Sequence, residues 1–220
     1  MRSLAYDTAH LLDGTVLLLS FALLYQRRLF AVFNAFALQA VLIAAAAAWQ
    51  AHVQAAPHLY VTAAIALGFK AIIIPYALRR IVTHLGIHHT IETVIGIGPT
   101  MIAGVALVAL SILLVLPVTA GSGALTRESL AMALSVVLIG LLVMITRRNA
   151  VTQVVGFMSL ENGLILAAVG VKGMPLVVEM SIAFSVMVAF IIFGIFFFHI
   201  RERFDTLDLQ YIETFRGEQR

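Results

Sequence analysis

Residues 155–179, VGFMSLENGLILAAVGVKGMPLVVE, decide how the chain is read. They put one carboxylate, Glu161, near the middle of an apolar run long enough to cross a membrane. They put a second, Glu179, in the first turns of the next run. A charge at mid-bilayer costs roughly 2.5–3.5 kcal/mol on insertion scales. Such a residue needs a partner or a task. The rest of the chain reads as a scaffold that places these groups inside a helical bundle.

Composition sets the same frame. The chain has 220 residues, 62% hydrophobic and 11% charged, where soluble domains carry about 45–50% apolar and about 25% charged residues. So large an excess exceeds what a buried core absorbs and makes lipid the solvent for most side chains. There is no cysteine, which excludes disulfides, iron–sulfur ligation and thiolate chemistry. The net charge of +3 does not call for nucleic acid, because basic loops in a membrane protein first report orientation. The N-terminal MRSLAYDTAHLLDG makes a poor signal peptide, with two Asp and no clear cleavage site before the apolar run continues. No nucleotide loop, Ser/His/Asp arrangement or cofactor motif is present. No catalytic centre and no bound cofactor are therefore expected in this chain.

Seven apolar runs of about 20 residues follow one another, at 4–25, 29–49, 59–78, 95–118, 129–145, 150–171 and 174–199. Each suits an α-helix crossing a hydrocarbon core of about 30 Å. None shows the short alternation of a membrane β-barrel. The expected fold is all-α, with seven transmembrane helices. Arg27 and Arg28, Arg79 and Arg80, Arg147 and Arg148, and the arginines after residue 200 follow the odd-numbered runs. Only Arg2, Arg127 and Lys172 lie on the other side. The positive-inside rule puts the N-terminus outside and the C-terminus in the cytoplasm. Gly98-Pro99 delays or kinks the start of the fourth run. The outer loop Gly121-Ser122-Gly123 divides the chain into a four-helix part, 1–120, and a three-helix part, 121–200. A charged, amphipathic cytoplasmic tail follows, 201–220, readable as an extension of helix seven, an interfacial helix or a docking segment.

Four residues are candidates for proton-pathway chemistry. Glu161 lies roughly 16 Å deep in the sixth run, near the midplane. Ser159, Gly163, Ala167 and Gly170 make a small-residue stripe that lets backbones approach, and Glu161 projects from the opposite side. Low dielectric raises a carboxyl pKa and a nearby cation lowers it, so such a site can bind and release a proton. Lys70, in LGFKAIIIP, reaches the same depth in the third run and is too central to snorkel. Its partner is either Glu161 or a group on another subunit. Asp13, one turn after His10, is either intramembrane or interfacial. Glu179 sits roughly 8 Å inside the outer boundary, where it either caps helix seven or stands at a proton exit. Asn34, Gln39 and Gln153 read as ordinary interhelical hydrogen-bond formers. His84 with His88 and His89 has metal-like spacing but no accompanying carboxylate or Cys set, so no metal is expected.

Two segments, GFMSLENGLILAAVGVKGMPLVVE at 156–179 and FFFHIRERFDTLDLQ at 196–210, resemble hydrogenase-4 component E. That is a membrane subunit of group 4 [NiFe]-hydrogenase and formate hydrogenlyase-type complexes. The resemblance covers most of the chain and is strongest from Arg147 onward. Runs five to seven are also similar to the K subunit of respiratory complex I and the C subunit of Mrp-type antiporters. In those families a mid-helix glutamate belongs to a polar chain through the membrane arm, and Glu161 within SLENG matches it. A second family glutamate, deep in the last helix, falls near Ser185 here, so the two-carboxylate relay does not carry over intact. The resemblance implies a proton-pathway and scaffold subunit in the bacterial inner membrane. Its partners would be antiporter-like membrane subunits and a hydrophilic redox arm holding the metal centres. Two competing readings remain. One is a structural membrane spacer with permanently protonated acids. The other is a stand-alone seven-helix receptor, for which an intramembrane lysine in the third helix is the reverse of the microbial rhodopsin arrangement.

Overall fold

The computed structural model describes residues 2–84, 91, 93–119, 121, 124–170 and 187. The chain divides into two compact units, Met1–Ile182 and Ala183–Arg220. Apart from Met187, every described residue belongs to the first unit. Six helices there are long and apolar enough to cross a membrane: Tyr6–Tyr25, Leu29–Gln54, His58–Thr83, Ile97–Val118, Thr126–Thr146 and Val151–Gly170. The expected seventh run at 174–199, Glu179 within it, the tail at 201–220 and the residues His88 and His89 lie outside the described residues.

The helices are α1 (Arg2–Tyr25), α2 (Leu29–Gln54), α3 (His58–Ile65), α4 (Ile74–His84), α5 (Ile97–Val118), α6 (Ala124–Thr146) and α7 (Ala150–Gly170). Between α3 and α4 the chain continues without a break as a π-helical segment, Ala66–Ile73, so all three form one span. No β-strand occurs among the described residues. Thr93 and Arg147 make an isolated antiparallel bridge.

The helix ends follow local chemistry. α2 stops at Ala55, whose left-handed backbone (φ 53°) returns its N–H to the Ala51 carbonyl, and Pro57 stands at the start of the next helix. α5 begins after Gly96. Gly98 and Pro99 sit inside its first turn and do not delay it, because a proline there lacks only an N–H that has no intrahelical partner anyway. Thr100 closes that turn by donating its hydroxyl to the Gly96 carbonyl at 2.7 Å. α6 and α7 form the tightest pair. A Cβ added to Gly140 would stand 2.5 Å from the Leu160 backbone nitrogen, and one on Gly163 would stand 2.8 Å from that of Val137. These glycines let the two backbones approach, and the stripe containing Gly163 faces α6.

The π segment follows from the burial pattern of its span. Thr62, Ala66, Lys70, Ile74, Leu78 and Val82 are all buried, a strict every-fourth-residue row. In a regular α-helix each such step turns the row by about 40° beyond a full circle. Five steps would carry it to the opposite face. The wider π turns, marked by the Ile74 N–H bonding the Phe69 carbonyl, take up that drift. Lys70, inside the segment, therefore stays on the inner face.

α7 is buried on nearly all sides, against α6 and α2. α5 is the opposite. Only Thr100, Gly104 and Ser111 are buried along it, while Ile102, Val105, Leu113 and Val118 are 61–85% exposed. The apolar core gathers Val16, Ile43, Ala47, Leu59, Ala133, Val136 and Leu166 from five helices. At one end of the bundle the Ile91 N–H donates to the Arg27 carbonyl at 2.8 Å, and the Val94 N–H to the Thr146 carbonyl at 2.9 Å. Arg27 and Arg147, expected on one side of a membrane, thus share one end.

Candidate functional site

A buried polar chain runs through the apolar core and ties four spans together. Glu161 Oε2 on α7 lies 3.2 Å from Lys70 Nζ in the π segment. Lys70 Nζ also donates to Asn162 Oδ1 at 3.1 Å. Asn162 Nδ2 donates to Gln39 Oε1 on α2 at 3.2 Å. Gln39 Nε2 donates to Ser20 Oγ on α1 at 2.8 Å, and Ser20 Oγ to the Val16 carbonyl at 3.1 Å. Every member is at most 2% exposed. All donors point the same way, from the ammonium toward a backbone carbonyl, so each bond polarises the next.

Local sequence explains how each group reaches the site. The glycines on one face of α7 dock it on α6, so the adjacent pair Glu161-Asn162 projects elsewhere and meets Lys70 from two positions at once. The π turns keep Lys70 inward while Phe69, Ile72 and Ile73 remain exposed. Of the two partners the sequence leaves open for Lys70, the structure supplies Glu161 within the chain.

Asp13 occupies a second polar position. It is 5% exposed, which places it among the helices rather than at an open surface, and its Oδ2 accepts a hydrogen bond from Ser129 Oγ at 2.7 Å. Beside it lies a cavity of about 10 Å³ lined by Asp13, Trp49, Gln50, Ser129 and Gly170, among others. That is close to the roughly 10–15 Å³ one water needs. One turn before Asp13, His10 contacts the Glu128 carboxylate, to which Tyr6 also donates. Glu128 is half-exposed, so the group leads from the bundle end inward to Asp13. Asp13 and Ser20 are seven residues apart on α1, about 10 Å along the helix. Val16, fully buried in the apolar core, lies between them. The structure does not join Asp13 to the Lys70–Glu161 pair.

Several residues of the site are hard to find in the sequence. Asn162 stands next to Glu161, and that adjacency is its only signal. Ser20 and Ser129 look like ordinary small polar residues in apolar runs. Arg147 counts in sequence as a loop charge. In the structure it is 2% exposed, and its Nη2 donates to the carbonyls of Leu23 at 3.0 Å and Leu24 at 2.6 Å. It thereby closes the C-terminal end of α1, where a cation is favoured. Burial pulls its pKa down from the usual arginine value, with the nearby Arg27 charge adding to that. Gln153, expected as an interhelical bond former, donates to the Arg147 carbonyl at 2.8 Å. Among the described residues no group of three or more His, Asp or Glu side chains stands close enough to hold a metal ion.

Comparison with known proteins places this architecture among distant relatives. The chain is similar to an uncharacterized protein of Mycobacterium tuberculosis, 28% identical over 152 residues that cover 68% of this chain and 69% of that protein. It is similar to hydrogenase-4 component E of Escherichia coli, 32% identical over 124 residues that cover 54% of this chain and 57% of that protein. The Shigella flexneri protein of the same name gives the same figures. The chain spans little more than half the length of the curated hydrogenase-4 components it matches. No protein-family profile matches it, and no solved structure does.

Proposed function

We propose that the chain is a multi-pass inner-membrane subunit of a redox-driven, proton-translocating complex of the hydrogenase-4 type, related to complex I. Within it, Lys70 and Glu161 form a protonatable station at mid-membrane. The observation that carries this reading is the 3.2 Å contact between two ionisable side chains at most 2% exposed, in a chain similar to a hydrogenase component. A buried ion pair is seldom a gain in stability over apolar packing, so its presence fits a use other than holding the fold. Lysine and glutamate can both exchange a proton, whereas the amides of Asn162 and Gln39 do so poorly. The amides and Ser20 therefore hold and polarise Lys70, and the mobile proton belongs to the pair.

Asp13, with Ser129 and the one-water cavity, is the second station, separated from the first by the apolar layer around Val16. A proton crosses that layer when water enters it. Glu179 is a lesser member of the pathway by its place in the sequence. The N-terminus faces outward and the C-terminus the cytoplasm by the distribution of arginines. Antiporter-like membrane subunits and a hydrophilic redox arm are the partners, and the redox cofactors belong to that arm.

The decisive test is Glu161→Gln in the assembled complex. The variant assembles and turns over its electron donor, but proton movement uncouples from turnover. Normal coupling would remove Glu161 from the pathway. The completeness of the hydrogen bonding from Lys70 to Val16 favours a second reading, a spacer whose polar chain only fixes helix register. Infrared titration separates the two. A Glu161 carboxyl signal that changes with pH supports the station, and an invariant one supports the spacer.

A further inference from the structure

One groove of the molecule is not used by the polar chain. It opens between the start of α2 and α4 and is lined by Phe30, Asn34, Tyr76, Arg79, Arg80 and Thr83. Its volume of about 510 Å³ falls within the roughly 300–1,000 Å³ typical of ligand sites. Among the described residues that line it, two are arginines and none is acidic. Arg79 Nη2 is held by the Asn34 side-chain oxygen, which steadies one guanidinium at the groove wall. The Thr83 hydroxyl donates to the Arg79 carbonyl at 2.9 Å, so it is turned back to its own helix and does not compete for a ligand.

The surface beside the groove changes character along one helix face. Phe69, Ile72 and Ile73 are exposed and apolar, and Tyr76 follows, 64% exposed. Arg79, Arg80 and Thr83 come next and are exposed. That order is apolar, then aromatic, then basic, which is the order a phospholipid presents as acyl chain, glycerol and phosphate. Tyrosine is favoured at the headgroup level. Basic pockets between transmembrane helices take anionic headgroups, and guanidinium matches phosphate oxygens in bidentate geometry. A free phosphate ion has no use for the apolar part of this face.

We propose that the groove between α2 and α4 is a binding site for the headgroup of an anionic phospholipid, with Arg79 and Arg80 as phosphate ligands. Its acyl chains lie along Phe69, Ile72 and Tyr76. Such a lipid would occupy the outer side of the span that carries Lys70, fixing α4 against α2 just past the π segment. This assignment requires only that the helices span a membrane and is independent of any proton role.

The test uses the full chain, purified in mild detergent and probed by native mass spectrometry with added phosphatidylglycerol or phosphatidylcholine of equal chain length. Phosphatidylglycerol is expected to be retained at least tenfold more than phosphatidylcholine. Arg79→Gln/Arg80→Gln is expected to abolish that preference, and Arg148→Gln, which removes one charge elsewhere as Arg80→Gln alone does at the groove, to keep it. All three positions are exposed, so folding is not at stake, and Arg80→Gln alone provides an intermediate. Equal retention of the two lipids overturns the proposal, as does equal loss in Arg148→Gln and the double variant. Displacement of the lipid by millimolar inorganic phosphate reassigns the site to a soluble anion and also overturns it. A chain found outside the membrane fraction would instead defeat the membrane reading itself, before any lipid is added.

Discussion

Two buried cations, Lys70 and Arg147, are handled in opposite ways. Lys70 lies within a span and meets a carboxylate and an amide, both on α7. Arg147 lies at the end of the bundle and donates to backbone carbonyls, those closing α1. The chemistry of the two side chains explains the division. Arginine does not deprotonate in proteins, so it suits a permanent charge at a helix C-terminus, whereas lysine loses its proton readily when buried. One site fastens the fold, and the other can change state. Under the proposed function, the charge that switches lies in the membrane-length part of the bundle and the fixed charge at its edge.

The largest effect that probes this contrast is expected from breaking the pair at Lys70. Glu161→Ala leaves an ammonium with reduced compensation, and loss of a partner from a buried pair costs about 3–5 kcal/mol. The paired change Lys70→Met/Glu161→Leu should recover most of that loss. Thermal unfolding of Lys70→Met, Glu161→Leu and the double variant in one detergent measures the coupling. Additive losses would show that the two charges do not depend on each other.

Arg147→Met comes next. It frees two buried carbonyls, each costing about 1–3 kcal/mol, and keeps much of the volume. The loss should be flat between about pH 5 and 9, because arginine stays charged throughout. Unfolding scans at several pH values test this, and a loss that varies with pH would erase the distinction between the two cations.

Gly140→Ala tests what aims Glu161. Its Cβ would stand 2.5 Å from the Leu160 backbone, so α6 and α7 must part. Overpacking of this kind costs about 1–3 kcal/mol. The same variant should alter the environment of Glu161, read as a shift of its carboxyl infrared band. Destabilisation without any change in that band would mean that the helix crossing does not set the site.

Ser20→Ala is expected to have the smallest effect. It removes the last hydroxyl of the polar chain, leaving Gln39 Nε2 without its acceptor, at a cost of about 1 kcal/mol. A loss as large as that from Glu161→Ala would show that the whole chain, and not the pair, is the unit of stability.

Much of the architecture is legible in the sequence. The first six runs reappear as helices, with ends that shift by a few residues where caps and glycines allow. The positions of Glu161 and Lys70 within long apolar runs are visible in the same way. The π segment is less so. Nothing in LGFKAIIIP separates π from α turns until burial shows which residues face inward. Arg147 is hidden for a related reason. An arginine pair at a helix end looks the same in sequence whether one member is solvated or buried beneath α1.

The sequence by itself determined that the described chain is helical and that ionisable residues interrupt membrane-length segments. In an apolar solvent every backbone N–H and C=O must be satisfied within its own segment, so a long apolar run has little alternative to a helix. Tertiary structure alone decided which of those residues meet. Lys70 and Glu161 are far apart in the chain, and their contact depends on how closely α6 and α7 pack at their glycines and on the extra turn-width around Lys70. Those are properties of helix crossings, and no local stretch of sequence contains them.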